Sequence, residues 1–97
     1  MAYVWKWPEE KIRIGVDFSD DLPEGGTITG GTATAEDWDG NDVSSTLLDG
    51  SPVVDEDGTA LMIWIQGGSS QTHYKVWLTA NVSDGGTLKR QFQVYVR

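Results

Sequence analysis

From Tyr74 onward the apolar positions of this chain step by two: Tyr74, Val76, Leu78, Ala80 and Val82. Ser83-Asp84-Gly85-Gly86 interrupts the run, and Leu88, Phe92, Val94 and Val96 resume the same period. Alternation at period two places one set of side chains on a buried face and the other in water. A short Asp-Gly break between two such runs predicts a β-hairpin, because Gly accepts the positive φ that tight turns need. Residues 74–96 therefore tie the chain to a sheet architecture. They look like scaffold and carry no evident chemistry.

The rest of the chain reads the same way. No useful window has apolar residues at three-and-four spacing, and Gly or Asp breaks most of them, so no helix is expected. Tyr3 to Trp7 reads as a short extended arm halted by Pro8. Lys11 to Phe18 alternates, with Ile12, Ile14, Val16 and Phe18 on one face. Thr27 to Trp38 is a Thr- and Ala-rich strand, with a bulge expected at Gly30-Gly31. Ser44 to Leu48 and Ser51 to Val54 read as short edge pieces. Thr59 to Ile65 is apolar on both faces and suits a central strand. Short strands separated by turn signals predict an all-β chain, a single immunoglobulin-like antiparallel β-sandwich of about seven or eight strands. It would form one domain over residues 1–97, with residues 1–8 as an extended N-terminal aromatic arm. Tyr74, six residues after Gly68, is placed to turn its hydroxyl back onto the backbone upstream, the tyrosine corner of sandwich folds.

A chain of 97 residues buries roughly 60–65% of its unfolded surface. Ten aromatics, five of them Trp, are expected to supply much of the core volume. Without Cys there is no disulfide, thiolate metal site or cysteine nucleophile. Met1 to Pro8 lacks the apolar core of a secretory signal, and nothing approaches the ~20 apolar residues of a membrane span. A soluble product made in the cytoplasm is the expectation. Fourteen of the fifteen acids fall in residues 1–57 against three bases, a balance of −11, whereas residues 58–97 carry one acid and four bases, +3. Such a field repels phosphate backbones, so no nucleic-acid partner is expected.

Catalytic constellations are hard to build from these residues. His73 is the sole histidine, and no nucleophile or orienting acid is marked beside it. The abundant carboxylates lie in Gly-rich loops, not on a rigid cleft that would hold two of them at a fixed separation. Asp37-x-Asp39-Gly40-Asn41-Asp42 has its Gly at the fourth position where a calcium loop needs it at the sixth, and no Glu at the twelfth. Asp, Asn and Gly are also what plain turns use. No catalytic, cofactor or metal residues are assigned.

Binding elements are easier to find. Tyr3, Trp5 and Trp7 share one parity, so an extended arm would present three rings on one side. Aromatic anchors are enriched at interface hot spots, and a terminal strand can add to a neighbour's sheet edge. Trp38, in an acidic loop, and Trp77, on the outward parity of its strand, complete the interface candidates. Exposed Trp on a sandwich also suits stacking on sugar rings.

Trp64-Ile65-Gln66-Gly67-Gly68, then Tyr74-Lys75-Val76, then a turn and a strand ending Val94-Tyr95-Val96-Arg97 form an ordered succession. Upstream stand Trp7-Pro8-Glu9-Glu10-Lys11 and Val16-Asp17-Phe18-Ser19-Asp20-Asp21-Leu22. From Trp7 to Arg97 this resembles the small tailed-phage structural proteins known as fibre–tail adaptors, with Phe18 where they carry Trp. Residues 30–58 depart most, being longer and more acidic, so the attachment point is where the resemblance says least. It implies a non-enzymatic virion protein that docks as a fibre–tail or head–tail junction adaptor. The partners implied are other virion proteins (tail, fibre, connector or major capsid protein) and further copies of itself. A capsid cement or decoration protein bridging capsomers is the second reading, and a carbohydrate-binding module the third.

Overall fold

Alternating burial runs through the long strands of the computed structural model, which describes residues 2–97, with side chains from Tyr3 onward. Met1, the first residue of the expected arm, lies outside the described residues. In chain order the strands are β1 (Ala2–Lys6), β2 (Ile12–Asp17), β3 (Ile28–Asp37), β4 (Leu48–Val54), β5 (Ala60–Ile65), β6 (Thr72–Val82) and β7 (Thr87–Val96). They form a four-stranded sheet in the order β1-β7-β6-β3 and a three-stranded sheet in the order β2-β5-β4. The two sheets stack as a β-sandwich. Between them lie Phe18, Leu61, Ile63 and Ile65 from one side and Val76, Leu78, Phe92, Val94 and Val96 from the other.

The β6–β7 hairpin has the expected geometry. Its register runs unbroken from Thr72 opposite Val96 to Asn81 opposite Thr87. Gly85 takes φ 94°, and Gly86 N–H donates to Asp84 Oδ1 at 2.7 Å, which closes the turn. Tyr74 forms the corner its position suggested: Ser69 N–H donates to Tyr74 Oη at 2.8 Å. β5 is central in its sheet, as its two-faced apolar sequence implies. The register of β3 on β6 slips between Ile28 and Gly30, placing a bulge beside the glycine pair.

Three details differ from the sequence reading. Residues 2–6 are not a free arm but strand β1, which runs parallel to β7, the one parallel pair among the named strands. Val4 packs against the core and holds the strand there. Ser44–Leu47 is a single helical turn, α1, not a strand. Asp42 Oδ1 accepts both Ser44 N–H (2.9 Å) and the Ser44 hydroxyl (2.6 Å), and Ser44 Oγ accepts Ala35 N–H at 2.8 Å. These bonds coil the backbone locally and drop Leu47 into the core. β4 consequently starts at Leu48 and takes in the second edge piece, with a register shift between Asp49 and Val53.

Candidate docking surface

Registers across the four-stranded sheet decide which side chains share its outer face. Phe92, Val94 and Val96 of β7 point inward, and so do their β1 partners Val4 and Lys6. Tyr3 pairs with Gln93 and Trp5 with Tyr95, and these point outward. Tyr95 pairs in turn with His73, and Gln93 with Lys75. The outcome is a row of rings crossing the sheet: Trp5 on β1, Tyr95 on β7, His73 on β6 and Trp38 just past the end of β3. His73 lies 4.5 Å from Tyr95 and 5.9 Å from Trp38, centroid to centroid. Tyr3, Trp5, Trp7 and Trp38 are 55%, 51%, 47% and 54% exposed, which is heavy exposure for rings of this size.

Each tryptophan has a cation over its ring. Arg97 lies 4.1 Å from Trp5 and 6.0 Å from Trp7, Lys75 4.7 Å from Trp38, and Lys89 4.7 Å from Trp77. On the opposite sheet Lys11 and Arg13 flank Trp64 at 5.4 and 5.8 Å. An exposed contact of this kind is worth about 0.5–1 kcal/mol and fixes how the ring lies. Lys75, Lys89 and Arg97 thus sit among the aromatics of one face, Arg90 lies over Phe18 and pairs with Asp21, and most carboxylates sit in loops.

β1 is the outermost strand of its sheet, so one of its edges is open. Lys6 O accepts Arg97 N–H at 2.9 Å, so the even positions of β1 direct their backbone groups to β7. Tyr3 and Trp5 direct theirs to the open edge. An open edge of this type is a template for a further strand. Lys6 anchors the strand from the other side. Fully buried, it donates to Gly67 O at 2.6 Å and Trp7 O at 2.8 Å. Burial pushes its pKa below the usual lysine value, against the opposing pull of Glu10 and Glu9.

Trp38 stands on a tight acidic turn. Asp37 Oδ1 accepts Asp39 N–H (3.0 Å) and Asn41 N–H (2.9 Å), and its Oδ2 accepts Asn41 Nδ2 (3.0 Å). Those bonds, the Asn41 side chain first, hold the Asp37 carboxyl below its ordinary range. The calcium-like spacing is here an Asx-type turn. Among the described residues no three His or carboxylate groups gather as a metal site would require.

Four of the five candidate interface residues, Tyr3, Trp5, Trp7 and Trp38, are exposed on or beside one sheet face. Trp77 shares that face but is half-buried, its indole N–H donating to Glu36 Oε1 at 3.2 Å. Sequence reasoning missed Tyr95, His73 and Arg97 as members of this surface. The parity of Tyr95, opposite to that of Val94 and Val96, was the available signal. Its alignment with Trp5 needed the parallel register of β1.

No curated protein matches the chain. The family model described as "Podophage GP4 fiber-tail adaptor protein gp77" matches residues 6–95, a span that takes in both sheets from the anchoring Lys6 to Tyr95, and the chain belongs to that family.

Proposed function

We propose that this chain acts as a fibre–tail adaptor by stoichiometric docking, with the outer face and open edge of β1 as the contact surface. The family makes it a phage tail adaptor and a virion component that binds other virion proteins. The observation that carries the finer reading is the pairing of an unfilled sheet edge with three exposed rings, Tyr3 and Trp5 on the strand that owns it and Trp7 just past its end. A partner strand added there would gain backbone hydrogen bonds from the edge and desolvate the rings. A neighbouring copy offers the same chemistry, which favours several copies in the particle.

An immunoglobulin-like reading of the sandwich is favoured by its pairing. β3, β6 and β7 lie in one sheet and β2, β5 and β4 in the other, as the C, F, G and B, E, D strands do in that fold. The Tyr74 corner points the same way. Docking without catalysis is favoured by His73, which stacks between Trp38 and Tyr95.

The test is a triple variant, Tyr3→Ser, Trp5→Ser, Trp7→Ser, expressed in place of the native chain during infection. Lys6 is retained, so the anchored strand keeps its lock. The expected result is a folded protein by circular dichroism that is missing from purified particles by mass spectrometry. Normal incorporation of the folded variant would sink this assignment of the surface.

A further inference from the structure

We infer that the depression beside Trp38 is a carbohydrate-binding site, distinct from the β1 edge and independent of the adaptor reading. It is an open hollow of about 520 Å³ lined by Asp37, Trp38, Asp39, Gln71, His73 and Gln93. That volume lies within the range of small-ligand sites, roughly 300–1,000 Å³.

The lining selects among ligand classes. An apolar ligand would want aliphatic walls free of polar groups, and here the apolar surface is interleaved with Asp and Gln, which make up four of the seven lining residues. A phosphate-bearing ligand would meet two carboxylates on a chain of net charge −8. A cation would need converging carboxylates, but both oxygens of Asp37 already accept hydrogen bonds within their own turn. A pyranose fits all of these groups. Its C–H face is apolar and flat, and its rim carries hydroxyls that both donate and accept.

Trp38 supplies the flat partner. Lys75 lies 4.7 Å from its centroid and His73 5.9 Å, and the residue is still 54% exposed, which leaves ring surface accessible to a sugar. Around it stand the Gln71 amide and the Asp39 carboxylate, donors and acceptors suited to vicinal hydroxyls. Gln71 is the one non-glycine residue among those described with positive φ, 59°. Such backbone geometry is uncommon outside glycine and is concentrated at ligand sites. Tyr95, 4.5 Å beyond His73, continues the row of rings away from the hollow, so a chain of sugars has further stacking surface across the sheet.

The test uses the intact chain labelled with 15N and a panel of oligosaccharides built from glucose, galactose, mannose, rhamnose, N-acetylglucosamine and N-acetylneuraminic acid. Five indole N–H signals report the five tryptophans separately. At least one saccharide should move the Trp38 indole and His73 backbone signals in a saturable manner. Trp38→Ala should weaken that binding by at least ~10-fold, equivalent to 1.4 kcal/mol, while Trp64→Ala on the other sheet leaves it unchanged. Unaltered dispersion of the amide spectrum shows that both variants are folded. A panel that leaves the Trp38 and His73 signals in place overturns the site, and so does binding that survives Trp38→Ala.

Discussion

Lys6 Nζ donates to Gly67 O across 2.6 Å, joining the first strand to the loop that follows β5, 61 residues away. The lysine is fully buried, in register with Val96 of β7 and on the inward parity of β1. Its methylenes occupy a core position, and its ammonium reaches past the core to the Gly67 and Trp7 carbonyls. An inward-pointing lysine of this kind fixes the register of an edge strand, because a one-residue slip would turn it outward, away from both carbonyls, and a two-residue slip would leave its charge inside without them.

Replacing that ammonium with the thioether of Lys6→Met keeps the length and leaves two carbonyls without their donor. A hydrogen bond to a charged group contributes about 1.5–3 kcal/mol, and a loss of about 2–3 kcal/mol in unfolding free energy is expected by urea denaturation. Hydrogen exchange in β1 should rise more than exchange in β6. The sign with pH is also fixed. Burial lowers the folded-state pKa below the unfolded value of 10.5, so in the interval between the two the unfolded chain binds more protons. Stability should therefore rise with pH across that interval in the native chain, and Lys6→Met should remove that rise.

Gly31 and Gly30 are neighbours with opposite tolerance. A Cβ at Gly31 would lie 2.6 Å from Thr79 O and 2.7 Å from Leu61 Cδ1, and the carbonyl belongs to a paired strand that cannot withdraw. A Cβ at Gly30 meets nothing within 4 Å. Gly31→Ala should destabilise by about 2–3 kcal/mol, as overpacking of a tight core does. Gly30→Ala should be neutral, or stabilising by about 0.5 kcal/mol through the unfolded state. Equal losses for the two variants in thermal or urea unfolding would show that the bulge, not the close approach, dictates glycine here.

Much of the fold was legible because its signal is local. Tyr74 to Val82 and Leu88 to Val96 alternate strictly, and their registers followed from one turn. The helical turn at Ser44 was not legible, because a hydrogen bond from Ala35 N–H to the Ser44 hydroxyl, nine residues apart, decides it. The fate of the first strand was hidden for the same reason: Lys6 looks like any surface lysine until Gly67 is brought to it. The rings of Tyr3, Trp5, Trp7 and Trp38 were visible as candidates. Their cations were not, since Arg97 reaches Trp5 only through the β1–β7 pairing.

Tyr74→Phe isolates the corner. The ring is buried and its hydroxyl accepts Ser69 N–H at 2.8 Å, while Ser69 itself is exposed. Water can replace that acceptor, so the loss should be about 1 kcal/mol, the size of one ordinary hydrogen bond. The neighbouring Gly68 gives the contrast: its φ is 91°, and a Cβ there would sit 2.7 Å from Val96 Cγ2. Gly68→Ala should cost more than Tyr74→Phe, with the order read from urea midpoints at constant slope.

The acid limb of the stability curve should be set by three turn carboxylates. Asp37 is held below its ordinary pKa of 3.8 chiefly by the Asn41 side chain, Asp42 by the Ser44 hydroxyl, and Asp55 by Thr59 N–H. In each case the folded state prefers the ionised form more strongly than the unfolded chain does. Their stabilisation is therefore complete above the unfolded-state pKa and is lost as pH falls below about 3.8 through the folded values. Asp55 is the cleanest to test, since its Oδ1 accepts both Thr59 N–H at 2.8 Å and Ala60 N–H at 3.1 Å across the β4–β5 turn. Asp55→Asn keeps the shape and removes the charge. It should lower stability at pH 7 and flatten the decline between pH 4 and pH 2, relative to the native chain. An unchanged acid slope, followed by urea unfolding at successive pH values, would assign the acid sensitivity to the other carboxylates and not to this turn.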